Sequence, residues 1–334
     1  MEQNELDKLF NELFNASEEE AFIIENSGLE KEVKNFFGIA MDRFTFDDLK
    51  AKDGGRIESE RLLNFIIEND LFDKIGGEVT LVLENIMQLE KKETKDIFKK
   101  LKIKEIQVKD LSGVNKNILE NLPCKFGIYY DALAPGFDKF YSPETMYEIL
   151  DIMEDIKARV ERYASELEKF LAIYKIIAMS AYYHDDEDMN TTRSLKGVLI
   201  DGKAVCYGYA VTLLYVLKYV GIEAKIVSGF GHKAPHAWNQ VRIDNVWYNT
   251  DLTADSDAVC EKRELLACLR NDEVFYSHYK LNSILDVCNI EKCSVDFPGK
   301  DIENALIKAL PELDDCKENF GKGYRELISS ITKK

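Results

Sequence analysis

A cysteine, a histidine and an aspartate stand in chain order at positions 206, 236 and 251, each in a local pattern that suits nucleophilic chemistry. Cys206 lies in Gly202-Lys203-Ala204-Val205-Cys206-Tyr207-Gly208-Tyr209-Ala210, and the run continues to Val220 with Lys218 as its one charge before Gly221. The spacing predicts a helix that has Cys206 in its first turn, closes on Gly221 as its C-terminal cap, and is buried because it is apolar all round. A thiol in the first turn meets unpaired backbone N–H groups and the positive end of the helix dipole, which favour thiolate over thiol. The same N–H groups can stabilise a developing oxyanion. Gly208 costs about 1 kcal/mol against alanine inside a helix. Close approach of another backbone or of a substrate would explain it, so Tyr207 and Gly208 are cleft candidates.

The base and its partner come from the stretch after the helix. Residues 222–227 read as a strand, 228–235 as a glycine-bearing loop, and 236–243 as a second strand; Asp244-Asn245 forms a two-residue turn and 246–251 returns. That turn sets Ile243 against Val246 and, counting outward, Trp238 against Asp251. Because side chains alternate, His236 and Trp238 share a face, and Asp251 lies diagonal to His236 at roughly 7–8 Å between backbones. A carboxylate spans that gap. Asp251 is then expected to accept the Nδ1–H of His236 and hold its tautomer, leaving the other ring nitrogen for the thiol. Trp238 joins Tyr207 and Gly208 as a cleft candidate, with a core aromatic as its other reading.

Other titratable groups rank lower. His232 is a rival base without a carboxylate partner in register, and His278 follows a helical segment as a packing or surface residue. The run His184 to Asp188 lacks the glycine and distal glutamate of a calcium loop and reads as solvated. Among Cys260, Cys268, Cys288 and Cys293, the last pair alone approaches the spacing of a structural zinc site. Plain thiols are favoured, and no metal or cofactor is expected.

At these residues the sequence resembles the bacterial transglutaminase-like family of the papain-like cysteine protease superfamily. Cores of that family carry Gly-Lys-x-Val-Cys-x-Gly-Tyr-Ala, then His-Ala-Trp-Asn, then Trp-Tyr-x-x-Asp-x-Thr; here these are Gly202 to Ala210, His236 to Asn239 and Trp247 to Thr253. Flanks at Arg193 to Leu199 and Leu269 to Glu273 are similar as well, and the likeness extends over about residues 165–280. The resemblance implies an α+β papain-like core, a buried nucleophile helix packed on an antiparallel sheet. It maps nucleophile, base and orienting acid onto Cys206, His236 and Asp251. The implied activity is thiol-dependent acyl transfer on peptide or glutamine amides, as in a cysteine protease, deamidase or transglutaminase. The alternative is a non-catalytic protein-binding module that retains the fold, since the family includes both. Ala254 departs from the pattern, because many relatives place tryptophan after the threonine. The zinc-binding cysteine pair of glycan-releasing members is missing before the core.

The elements that position these residues occupy the second half of the chain. A helical pattern from Pro143 to about Tyr183 is too long for one helix and predicts at least two. Before it, three β-rich runs at 79–83, 103–108 and 126–130 alternate with polar helical stretches at 91–100 and 117–122. That alternation predicts an α/β extension, either a small parallel sheet or irregular solenoid-like turns. The first fifty residues carry Leu6, Leu9, Phe10, Leu13 and Phe14 at helical spacing. We therefore expect two regions: 1–142, helical and α/β, a possible surface for a protein partner, and 143–334, the catalytic domain with a helical C-terminal tail.

Composition narrows the partners. With 334 residues, 31% of them charged, the chain can bury a core. A net charge of −17 repels phosphate backbones and anionic lipid, so nucleic acid and membrane are not expected partners and a protein or peptide substrate is. Seven cysteines without a regular frame point to reduced thiols and, with no signal or apolar span of roughly 18 residues, to the cytoplasm.

Overall fold

The three β-rich runs in the first half form a parallel sheet. In the computed structural model, which describes residues 56–57, 78–90, 100–129, 141–184, 189–231, 234–281, 290–315 and 320–332, strands β1 (Arg56–Ile57), β2 (Glu78–Leu83), β3 (Lys102–Val108) and β4 (Lys125–Ile128) lie side by side in chain order. All pair in parallel, with Leu81 between Ile57 and Ile106, and Ile106 beside Phe126. Leu81 and Ile106 are fully buried, so this row is the core of the sheet. A short helix, α1 (Lys116–Asn121), connects β3 to β4. Parallel neighbours in chain order are what both expectations for this region require, and a coil that adds one strand per turn gives the same arrangement. The helix expected in the first fifty residues, most of the polar stretch at 91–100, His232, the acidic run 185–188 and Cys288 lie outside the described residues.

The chain divides into two compact units, residues 1–109 with 120–129, and residues 110–119 with 130–334. In the second unit the long helical pattern is two helices. Helix α2 (Pro143–Val160) is capped by Ser142, whose hydroxyl accepts the Thr145 N–H at 3.2 Å, and α3 (Glu166–Ser180) by Ser165, which accepts the Glu168 N–H at 3.1 Å. Serine caps satisfy N–H groups that the helix itself leaves open. From Phe170 to Ser180 every residue of α3 is buried, Lys175 included. Burying that ammonium is tolerable because it donates to the Ala309 carbonyl at 2.8 Å and pairs with Asp314 at 2.6 Å, which ties the C-terminal segment to the core.

Next come β5 (Tyr182–Tyr183), α4 (Met189–Thr192), a π-helical turn (Gly197–Asp201) and β6 (Lys203–Ala204), which pairs with β5. Helix α5 (Cys206–Val220) follows, with Cys206 in its first turn as expected and ended by Gly221 at φ 91°. Strands β7 (Ala224–Gly231), β8 (Ala234–Ile243) and β9 (Val246–Thr250), helix α6 (Leu252–Glu261), the single turn α7 (Asp272–Phe275) and β10 (Tyr279–Leu281) complete the core. The sheet is antiparallel in the order β10-β7-β8-β9, and α5 packs against β8 and α3. This is the mixed helix and sheet architecture expected, with α8 (Gly299–Lys308) and α9 (Tyr324–Thr332) as the helical tail. Among the described residues no helix is long and apolar enough to cross a membrane.

Candidate active site

Cys206 is the first residue of α5 and half-buried. The residue before it, Val205, is extended and supplies no side-chain cap. The first-turn N–H groups are therefore not satisfied by a capping side chain and remain directed at whatever lies against the helix end. The entry is fixed by the Val205 N–H donating to the Thr192 carbonyl at 3.0 Å. Gly208 is explained by that same carbonyl: a Cβ at 208 would stand 2.2 Å from Thr192 O. Of the two reasons open at Gly208, approach of a backbone is the one found. The residue is buried behind the helix end instead of in a cleft wall. Tyr207 is half-exposed.

The hairpin has the predicted register. Asp244 and Asn245 take φ of 49° and 67°, as a tight turn with two left-handed residues requires, and the pairs run from Ile243 opposite Val246 to Asn239 opposite Thr250. The glycine-bearing loop expected at 228–235 is mostly strand. Strand β7 runs through Gly231, and β8 starts at Ala234. The reason is steric. A Cβ at Gly229 would lie 2.1 Å from Lys280 O and 2.6 Å from the Trp238 ring, and one at Gly231 would lie 3.2 Å from the rings of His236 and Tyr279. The two glycines make room on one face for the imidazole and its neighbours.

Trp238 corrects an expectation. It is 1% exposed and packs with Val227, Ala267, Phe275 and Tyr279 in a buried cluster. It therefore supports the site from beneath, stacked 6.4 Å from His236, and does not wall a cleft. The next residue, Asn239, is also buried and donates to Ala210 O at 2.9 Å and Lys225 O at 3.2 Å. One side chain thus ties α5 to the strand that carries His236.

His236 and Asp251 meet at 2.7 Å, through Nε2 and Oδ2. The expected atom was Nδ1, so the ring is turned the other way, with Nδ1 left for the sulfur. Asp251 ends β9 and also caps α6, its Oδ1 accepting the N–H groups of Thr253 at 2.9 Å and Ala254 at 3.4 Å. This second duty fixes the carboxylate near the strand end and presents Oδ2 to the far edge of the imidazole. Asp251 is 1% exposed, and Oδ2 accepts a second hydrogen bond from the Tyr279 hydroxyl at 2.7 Å. Burial works against a charged His236 ring. Hydrogen bonds to Asp251 and then to Cys206, with the charges of both, outweigh it and raise the ring to about 10. The imidazole is therefore held between the carboxylate and the thiol, and the structure brings Cys206, His236 and Asp251 together.

Sequence reasoning missed two supports. Tyr279 stands in β10, whose pairing with β7 sets Tyr279 opposite Gly231. Its ring lies 4.1 Å from Phe275, nearly parallel. Asp255, fully buried in α6, accepts the N–H groups of Leu266 at 2.8 Å and Ala267 at 3.2 Å and the Tyr174 hydroxyl at 3.0 Å. Ala267 O in turn accepts the Asp251 N–H at 3.0 Å, so Asp255 anchors the loop against which Asp251 rests. Burial pushes its carboxyl up to about 6 despite those donors. A tyrosine four residues past Phe275 and an aspartate inside a helix carry no local signal of these roles. His278 is exposed, and among the described residues no group of three or more metal-ligating side chains occurs.

Residues 154–252 match the model of the Transglutaminase-like superfamily. Among solved structures, a TGase is 22% identical with a TM-score of 0.31, over 34% of this chain and 33% of that one. A proposed cysteine protease from Cytophaga hutchinsonii is 16% identical with a TM-score of 0.27, over 31% of this chain and 37% of that one. The chain thus spans about a third of the length of either protein. No curated protein matches the sequence.

Proposed function

We propose, from the match of residues 154–252 to the Transglutaminase-like superfamily, that the chain is an acyl-transfer enzyme acting on peptide or glutamine amides through Cys206, His236 and Asp251. One observation carries the reading: a single imidazole, hydrogen-bonded to a buried carboxylate on one side and to a thiol at a helix start on the other. Structural histidines seldom have both partners. Residues 143–334 supply all of the chemistry in this proposal.

In the first step the Cys206 sulfur bonds to the amide carbonyl carbon, and the carbonyl π pair moves to oxygen. First-turn N–H groups of α5 face the developing oxyanion. As the pair returns, the C–N bond breaks, and the departing nitrogen takes the proton from His236 Nδ1. In the second step water or an amine adds to the thioester carbonyl and gives its proton to Nδ1, and the C–S bond breaks to restore the thiolate. Asp251 steadies the ring through Nε2. Tyr279 keeps Asp251 in place, which makes it a positioning residue.

The test is mass spectrometry of a peptide library incubated with wild type and with Cys206→Ala, each with and without a primary amine. Cleavage, deamidation and amine incorporation give different mass changes. A Cys206-dependent product is the expected result. A library that returns unchanged from every condition would refute catalysis and favour a binding module.

A further inference from the structure

A cavity of about 640 Å³ opens beside the imidazole, within the usual range for a small-molecule site. Its walls include His236 and Asp251, while Cys206 is not among the residues lining it. Most of the remaining wall is apolar, from Ala254, Leu266, Ala267, Val274 and Phe275. Leu266 and Val274 are 70% and 40% exposed, two large apolar side chains at one cavity mouth that continues inward to buried Ala267 and Phe275.

The charged groups Asp251, Arg270 and Asp296 of the wall are already engaged. Asp251 accepts from His236, Tyr279, Thr253 and Ala254. Arg270 donates to the carbonyls of Leu266 at 2.9 Å and Leu265 at 2.8 Å, and Asp296 accepts the Asn271 N–H at 2.7 Å. These bonds hold the wall together, so the cavity offers an occupant a mostly apolar surface, with the Thr253 hydroxyl, buried without a partner, and the His278 ring as its remaining polar groups. Position then assigns the occupant. In acyl transfer the acyl part is bonded to sulfur, whereas the imidazole must reach the departing nitrogen within hydrogen-bond distance. A cavity that borders the imidazole and not the sulfur lies along the path of the group attached to that nitrogen.

We propose that this cavity is the amine-side subsite and that it selects a large aliphatic or aromatic side chain on the leaving amine. The assignment rests on the acyl-transfer reading above, and the experiment separates the two. Binding is read first, by NMR titration of Cys206→Ala with leucinamide, phenylalaninamide and glycinamide, which needs no turnover. Leucinamide and phenylalaninamide are expected to bind at least about tenfold tighter than glycinamide, the effect of burying one such side chain. Ala254→Trp, which fills the cavity, and Leu266→Asp, which charges its mouth, should each abolish that difference. Both sites are exposed, and retention of a cooperative unfolding transition shows that the variants fold. Equal binding of the three amides, or none, overturns the subsite. Peptides that differ only in the amine-side residue are then compared. A Cys206-dependent kcat/KM at least about tenfold higher for leucine or phenylalanine than for glycine supports the proposal. Cys206-dependent turnover indifferent to that residue overturns the subsite and leaves acyl transfer standing. Selective amide binding without any Cys206-dependent product overturns acyl transfer and, with it, the amine-side role.

Discussion

Replacing Tyr279 by phenylalanine deletes one hydroxyl and keeps the ring, so its stacking 4.1 Å from Phe275 survives. What is lost is an O–H···O bond of 2.7 Å to a carboxylate that is 1% exposed. Burial first, and the Asp251 charge after it, push the phenol far above its ordinary range, so Tyr279 remains a donor at any working pH. A hydrogen bond to a charged group contributes about 1.5–3 kcal/mol, and water cannot easily replace this one. For a unit of this size that corresponds to a fall of about 3–12 °C in Tm. Denaturant unfolding of wild type and Tyr279→Phe measures the loss. On an Asp251→Asn background the partner is neutral, and the same substitution should cost about 0.5–1.5 kcal/mol, so a double-mutant cycle isolates the charge-assisted part. With one donor fewer on Oδ2, the carboxylate attracts the imidazolium more strongly. The His236 ring, followed by NMR, should therefore titrate no lower in Tyr279→Phe than in wild type. A loss below about 0.5 kcal/mol, within the range of unremarkable surface changes, or a ring that titrates lower would refute the Tyr279–Asp251–His236 chain.

Gly208→Ala should destabilise by about 1–3 kcal/mol, because its Cβ meets the Thr192 carbonyl at 2.2 Å; a variant stabilised by about 1 kcal/mol, as in an open helix, would contradict that packing. His236 is raised from 6.5 to about 10, so its contribution to stability is complete below 6.5 and is lost as pH rises to about 10. Wild type should lose stability across that window at up to about 1.4 kcal/mol per pH unit more steeply than His236→Gln, and equal slopes would refute the pairing. Asp255 also has a raised folded value, about 6 against 3.8, but here the neutral form is the favoured one. Its folded state binds the extra proton between those values, so this group adds stability as pH falls from 6 towards 4. Asp255→Asn should remove that slope while its side-chain oxygen still accepts from Leu266 and Ala267; urea midpoints at pH 4 and 6 decide it.

The helix that starts at Cys206 and the hairpin were legible because their determinants are local. An uncharged run closed by Gly221 sets the bounds of α5, and the Asp244-Asn245 turn fixes the parity that puts His236 and Asp251 on one face. The same locality accounts for the division of the long helical pattern at its serine caps. Local pattern misjudged 228–235, where glycines suggested a loop. The space their missing Cβ atoms leave is filled by Trp238, His236 and Lys280, two of which come from another strand and the third from a distant one.

From the sequence alone followed the place of Cys206 in the first turn of a helix and the shared face of His236 and Asp251, since helix starts and strand parity depend on neighbours along the chain. Tertiary structure alone decided which imidazole nitrogen meets the carboxylate, that Trp238 is buried, that Tyr279 and Asp255 support the site, and that a cavity borders the ring. Those outcomes depend on how α7 and β10 set Phe275 and Tyr279 against Trp238 and His236 of β8, and on the Asp251 cap that joins α6 to the end of β9. Ring orientation and cavity shape are set by contacts between segments far apart in the chain, which no spacing of residues encodes.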